Sequence, residues 1–310
     1  MANKIFKNLD EQVTILKDKG LVIDDIQKTK DILLRENYFF INGYRHFFID
    51  ANKGKNFIPG TTFSELYAVF SFDRHLRNIM FKNILIIENN VKSIISYQLS
   101  KKYGFKDKDY LVPSNFTNDP LKTRQVADVL SKVKRQVRLN GMKHTATMHY
   151  ISKYGYIPMW IMVKVLSFGI IAELYVILKS EDKKAIADFY DINVEEMEIY
   201  LSLLANFRNL CAHEDILYDH ITNRSIPDNY IHYKLDIKKD EFEEYIYGKK
   251  DLYAVIIIMK RMLTNDEFKM LVNEIDYEIN LLDGIINVIP LSKILNKIGF
   301  PDNFRDIMYL

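Results

Sequence analysis

The stretch KTRQVADVLSKVKRQVRL, Lys122 to Leu139, decides the fold class. Val126, Val129, Leu130, Val133 and Val137 recur at the i, i+3, i+4, i+7 spacing of one helix face, while Arg124, Lys132, Lys134, Arg135 and Arg138 take the other faces. Asn140-Gly141 follows as a helix stop. The same period recurs in Leu9–Lys19, Asp25–Glu36, Ser64–Tyr103 (with room for one break), Met159–Lys179, Val194–Cys211, Leu252–Leu263 and Asp266–Leu282. Two-residue alternation is confined to Tyr38–Ile49 and Tyr230–Ile237. The expectation is an all-α protein with at most one small hairpin or irregular arm. Residues 1–223 and 224–310 are expected as a main helical domain and a helical C-terminal extension, because TNRSIPDN, 222 to 229, is turn-rich and the segment after it is mixed in charge. Pro290 and Pro301 bound a short last element.

Composition narrows the class further. With 310 residues, 48% hydrophobic residues, 19 Phe, 20 Tyr and one cysteine, the chain can build a large core and is neither a disulfide scaffold nor disordered. The longest run free of Asp, Glu, Lys and Arg lies between Lys153 and Lys164, half of what a membrane span needs. No spanning segment is expected, and acids in the opening MANKIFKNLDEQ argue against a secretory signal, so the expected compartment is the cytoplasm.

The net charge of +2 hides a segregation. Leu121 to Tyr156 holds eight Lys/Arg, among them Lys122, and one acid, Asp128, whereas Glu181 to Tyr200 holds seven acids and two lysines. A basic stripe is the footprint of a phosphate-rich partner or a solvated helix face.

Phosphate-binding Gly-rich loops, HExxH, CxxC and G-x-S-x-G are all missing from the sequence. Cys211, in an apolar helical pattern, reads as a buried structural thiol. What remains is Arg208-Asn209-Leu210-Cys211-Ala212-His213. Arg offers a permanent planar cation for a phosphate and His a proton shuttle near neutral pH, enough for RNA cleavage by attack of the ribose 2′-hydroxyl. Positions 208 and 213 lie about 140° apart on a helix, so only the length of Arg lets both reach one phosphate, while Asn209 and His213 share a face. Such a motif is half a site, which a symmetric dimer would complete. Eleven Arg and seven His give roughly one chance pair per four chains at any fixed spacing, so the spacing alone identifies nothing. Arg138 and His144 form a similar pair, but the helix stop between them removes it from consideration.

The surroundings of the motif are more specific. RNLCAHEDILYDH, 208 to 220, resembles the signature segment of the Abi (abortive infection) family of AbiD/AbiF type, which carries a HEPN-type R-x4-6-H motif. EQVTILKDKGLVIDD with LRENYFFINGY, then FSELYAVFSFDRHLRNIMFKNILIIENNVKS, then YGYIPMWIMVKVLSFGIIAELY, are similar to the same family's other motifs in the same order, covering about residues 9 to 220. The resemblance implies a HEPN-like helical core, a homodimer with a composite site, and a metal-independent endoribonuclease used in phage defence or as the toxin of a toxin-antitoxin pair. It implies no metal and no other cofactor, RNA as substrate, and an RNA or protein antitoxin as a possible partner. On it, Arg208 binds the scissile phosphate, His213 acts as general base or acid, and Asn209 is the polar residue after the Arg. Lys122, Arg124, Lys132, Lys134, Arg135 and Arg138 then grip RNA. A non-catalytic RNA-binding or regulatory module with the same fold is the competing reading.

Three departures stand out. Glu214 brings a negative charge beside the site, Lys164 stands where the family usually has Glu, and the chain beyond Asn223 lies outside the resemblance. Asp73, Arg74, Arg77 and Glu88 read as RNA-contacting or supporting residues, or, preferably, as ion pairs that fix helix packing. Trp160, Tyr38, Phe39 and Tyr44 read as core, with Arg45 and His46 placed to face RNA.

Overall fold

The structure, a computed structural model, describes residues 5–49, 54 and 56–310. Residues 1–4 of the opening segment lie outside the described residues. Helices α1 (Leu9–Asp18), α2 (Ile26–Glu36) and α3 (Tyr38–Gly43) lead through a 3-10 turn, Tyr44–Phe48, to the long α4 (Phe63–Tyr103). After α4 come α5 (Asp107–Tyr110), α6 (Thr123–Gly141), α7 (Thr145–Tyr154), α8 (Met159–Val165), α9 (Phe168–Ile177), α10 (Ser180–Ala187) and α11 (Val194–Ala212). The chain closes with α12 (Tyr230–Lys234), α13 (Leu252–Met262), α14 (Asn265–Asp283) and α15 (Leu291–Ile298). Among the described residues there is no strand, only isolated bridges, and the fold is all-α.

The organising element is α4, one unbroken helix of 41 residues, about 60 Å long. No Gly or Pro interrupts it, so nothing breaks its ladder. It starts in a capping box, in which the Thr62 hydroxyl accepts from the Glu65 amide and the Glu65 carboxylate accepts from the Thr62 amide. The other oxygen of Glu65 accepts from the amides of Asn287 (2.7 Å) and Val288 (2.9 Å), tying this start to the loop after α14. Buried residues follow one broad stripe along α4, and Ser64, His75, Asn78, Lys82, Asn89 and Ser93 leave the opposite side exposed. The helices α8, α10, α11, α13 and α14 pack on it, and the apolar core is continuous from Val13 to Ile307.

Three local expectations give way. Tyr38–Ile49 and Tyr230–Ile237 are mostly helical rather than extended. Asn37 and Asn229 cap the short helices there, and apolar runs this short fit either period. The apolar run from Met159 breaks at Leu166-Ser167, where Ser167 turns extended and caps α9 through the Ile170 amide. From 221 to 251 the chain is largely irregular, and it is held back on itself by Thr222 and Ile226 amides bonded to the carbonyls of Lys250 and Lys249.

Candidate active site

Helix α11 begins in an Asn193/Glu196 capping box and buries Leu203, Leu204, Phe207, Leu210 and Cys211, packing on α4 and α9. Its exit places the residues of the motif. His213 is the C-cap, with its amide on the Asn209 carbonyl at 3.0 Å, and Glu214 takes the left-handed conformation that ends the helix. The His213 and Asn209 side chains are exposed. Arg208, five residues earlier and about 7.5 Å down the helix, lies with its guanidinium 5.5 Å over the Phe81 ring. Its Nε is 3.4 Å from Glu88 Oε2, within ion-pair range but without hydrogen-bond alignment. Among the described residues no hydrogen bond occupies its terminal nitrogens, and the side chain is 29% exposed. The fork is therefore steered from below by a carboxylate and an aromatic face, and remains open toward solvent.

Glu88 is itself held. Lys92, one turn on in α4, donates to Glu88 Oε1 at 2.6 Å and to the Leu166 carbonyl at 2.7 Å, with both charged groups buried. That carbonyl belongs to the break between α8 and α9. The rest of the break is satisfied from α6, where Gln136 accepts from the Ser167 amide (2.8 Å) and Asn140 donates to Val165 (3.2 Å). A single polar chain thus links the break, α4 and the Arg of the motif. Lys164, the departure from the family pattern, is exposed and donates to Asn89 at 3.3 Å.

A second buried group fixes the segment after the motif. Asp73 is ion-paired with Arg77 and accepts from the Tyr44 hydroxyl (2.7 Å) and from the amides of Leu217 (3.2 Å) and Tyr218 (2.9 Å). Burial raises the pKa of the Asp73 carboxyl, while Arg77 foremost, then the Tyr44 hydroxyl and the two amides, oppose the rise. Arg74 pairs instead with Glu36 and rests 4.7 Å over the Phe70 ring. Glu36 chiefly, and Glu214 more weakly, stabilise its charge. Glu214 lines a cavity of about 170 Å³ with Arg35, Arg74 and Arg77, so its negative charge faces guanidinium groups.

Helix α6, which carries the basic residues, packs chiefly on α8 and α9. Lys132 is paired with Asp128 and Glu173, each at 2.9 Å. Arg124, Lys134, Arg135 and Arg138 are exposed and Lys122 half-buried, none with an ion pair among the described residues. Two readings of aromatic residues are corrected. Tyr44 is core, but Phe39 is 73% and Trp160 44% exposed. At Trp160 the preceding Met159 takes the inward position, and one helical step carries Trp160 outward. Tyr38 is half-buried against the core. Arg45 and His46 border a cleft of about 470 Å³ with Phe39, Tyr218 and His220. The Cys211 thiol is pushed up to about 12, mainly by burial, and is protonated at neutral pH.

Among the described residues no group of three or more His, Cys, Asp and Glu is placed to hold a metal ion, and no helix is long and apolar enough to cross a membrane. The reading of the sequence missed Lys92, Phe81 and Tyr44 as supports of the site. The i, i+4 spacing of Glu88 with Lys92 was the available signal for the first.

No curated protein and no solved structure matches the chain. The family model of Abi-like proteins matches residues 31–219, a span that holds α4, α6 and the whole of the Arg208–His213 motif and is more than half the chain, and the chain belongs to that family.

Proposed function

We propose that the chain is a HEPN-type endoribonuclease that cuts RNA without a metal ion and acts in phage defence, as an abortive-infection effector or as the toxin of a toxin-antitoxin pair. Membership in the Abi-like family fits abortive infection. The observation that carries the chemistry is the end of α11, where an exposed imidazole and an open, carboxylate-steered guanidinium share the last turns of a rigid helix.

In this reading the 2′-oxygen attacks phosphorus and the bond to the 5′-oxygen breaks, leaving a 2′,3′-cyclic phosphate and a 5′-hydroxyl. One His213 takes the 2′-hydroxyl proton, and a second copy's imidazole returns a proton to the leaving oxygen. Arg208 stabilises the doubly charged phosphorane, and Asn209, on the face of His213, contacts the same nucleotide. The motif supplies one imidazole per chain, and the reading takes the second from another copy rather than from His220, whose ring is held by Asn206 and Phe207 of α11.

Expression of the intact chain and of His213→Ala in a bacterial host tests this, with growth and total RNA followed together. Growth arrest with fragmented RNA, both abolished by the substitution, is expected. RNA fragmentation that persists in His213→Ala would contradict it.

A further inference from the structure

A line of partly exposed rings runs over the surface built by α7, the start of α8 and the segment after α4. Trp160 stacks on Phe105, with centroids 6.0 Å apart and planes 28° from parallel, and Phe105 is 5.7 Å from Tyr156. Tyr156 is 6.1 Å from Tyr154, which is 5.4 Å from Tyr150 and 6.0 Å from His149. Exposed apolar groups of this extent mark a binding surface. The track is rigid. Gly155, with φ +73°, turns the chain so that Tyr154 and Tyr156 lie side by side, and Phe105 is fixed by its carbonyl accepting from the Met159 amide at 3.2 Å. Beneath it Tyr110 donates to the Ile157 carbonyl at 2.7 Å.

Charge selects the occupant. Lys106 stands over Phe105 and Tyr156 (5.9 and 5.2 Å) and Lys153 over Tyr154 (5.4 Å). Beside the track a pocket of about 560 Å³ is lined by Lys108, Lys134 and Arg138, the last two from α6, and by one acid, Asp107, whose carboxylate accepts from the Ile157 amide at 3.1 Å. From Val129 to Ala172 the sequence contains no Asp or Glu. A second copy of the same surface would set like charges against each other in a two-fold interface, whereas a polyanion with flat bases satisfies both rings and lysines.

We propose that this track binds unpaired RNA, its bases lying on the rings and its phosphates meeting Lys106, Lys153 and the α6 pocket. The proposal rests on the reading of the chain as a ribonuclease and assigns it a single-stranded substrate.

The test uses the full chain carrying His213→Ala, so that RNA is bound and not cut, with a labelled oligouridylate of roughly a dozen nucleotides and a duplex RNA of equal length. Phe105→Ala and Tyr154→Ala are each expected to weaken oligouridylate binding by about fivefold or more, with Tyr154→Phe close to the parent and duplex binding unchanged. Lys153→Glu, at an exposed position, weakens binding and flattens its salt dependence even if a ring variant fails to fold. Unchanged oligouridylate affinity in the folded ring variants, equal losses on duplex, or a switch from dimer to monomer with RNA affinity intact would overturn the proposal. Cleavage that does not depend on His213 would instead overturn the catalytic reading and leave the track standing.

Discussion

Asp73 concentrates more structure on one side chain than any residue of the motif. Its carboxylate joins Arg77, Tyr44 and two amides of the segment that follows His213. Asp73→Ala leaves a buried guanidinium unpaired and two amides without an acceptor, and should cost about 3–5 kcal/mol in chemical denaturation. A loss below about 1 kcal/mol would mean that the carboxylate does not anchor this segment. Half of this arrangement was legible in the sequence. Asp73 with Arg77 and Glu88 with Lys92 stand four apart, and buried charges need partners. The partners from distant chain, Tyr44, Leu217 and the Leu166 carbonyl, leave no mark at either position, because a contact across the fold carries no local spacing.

Among the elements, the helices were legible wherever an apolar stripe was long. The 41 residues of α4 were read nearly whole, since a run without Gly or Pro has no reason to stop. The break between α8 and α9 was not, because it lies inside an apolar run and its polar supports come from α4 and α6. The irregular stretch after α11 holds a testable group. His232 is fully buried, accepts from the Asn229 amide at 3.2 Å, and meets the Gly248 carbonyl at 2.8 Å. Burial lowers its pKa below the ordinary 6.5. As pH falls below 6.5 the unfolded chain takes up a proton at this site before the folded one does, so the stability contributed by the neutral ring is lost across that window. Nearby Asp251, raised to about 6 by burial, shifts stability in the opposite sense, so the effect is read by comparison with His232→Gln. Thermal unfolding at pH near 7.5 and near 5.5 should show the parent losing more than the variant. Equal losses would place a charged imidazole in the fold.

For the whole molecule, the all-α class followed from periodicity, but exposure did not. The sequence placed Trp160 and Phe39 in the core, and only the packing of surrounding helices shows both at the surface. Assembly bears on the proposed site in the same way, since the proposal takes its second imidazole from another copy of the chain. If each site uses both His213 side chains, co-refolding equal amounts of parent and His213→Ala should leave about one quarter of the activity of the same total of parent chain. About one half would indicate sites complete within single chains.

The central claim, that Arg208 and His213 cut RNA through the 2′-hydroxyl, is tested most directly on the purified chain and its His213→Ala variant, incubated with single-stranded RNA in excess EDTA, with the product ends read by mass spectrometry. The account predicts fragments ending in 2′,3′-cyclic phosphate from the parent and a loss of at least about a hundredfold in the variant. Cleavage abolished by EDTA, or cyclic ends formed equally by the variant, would contradict it.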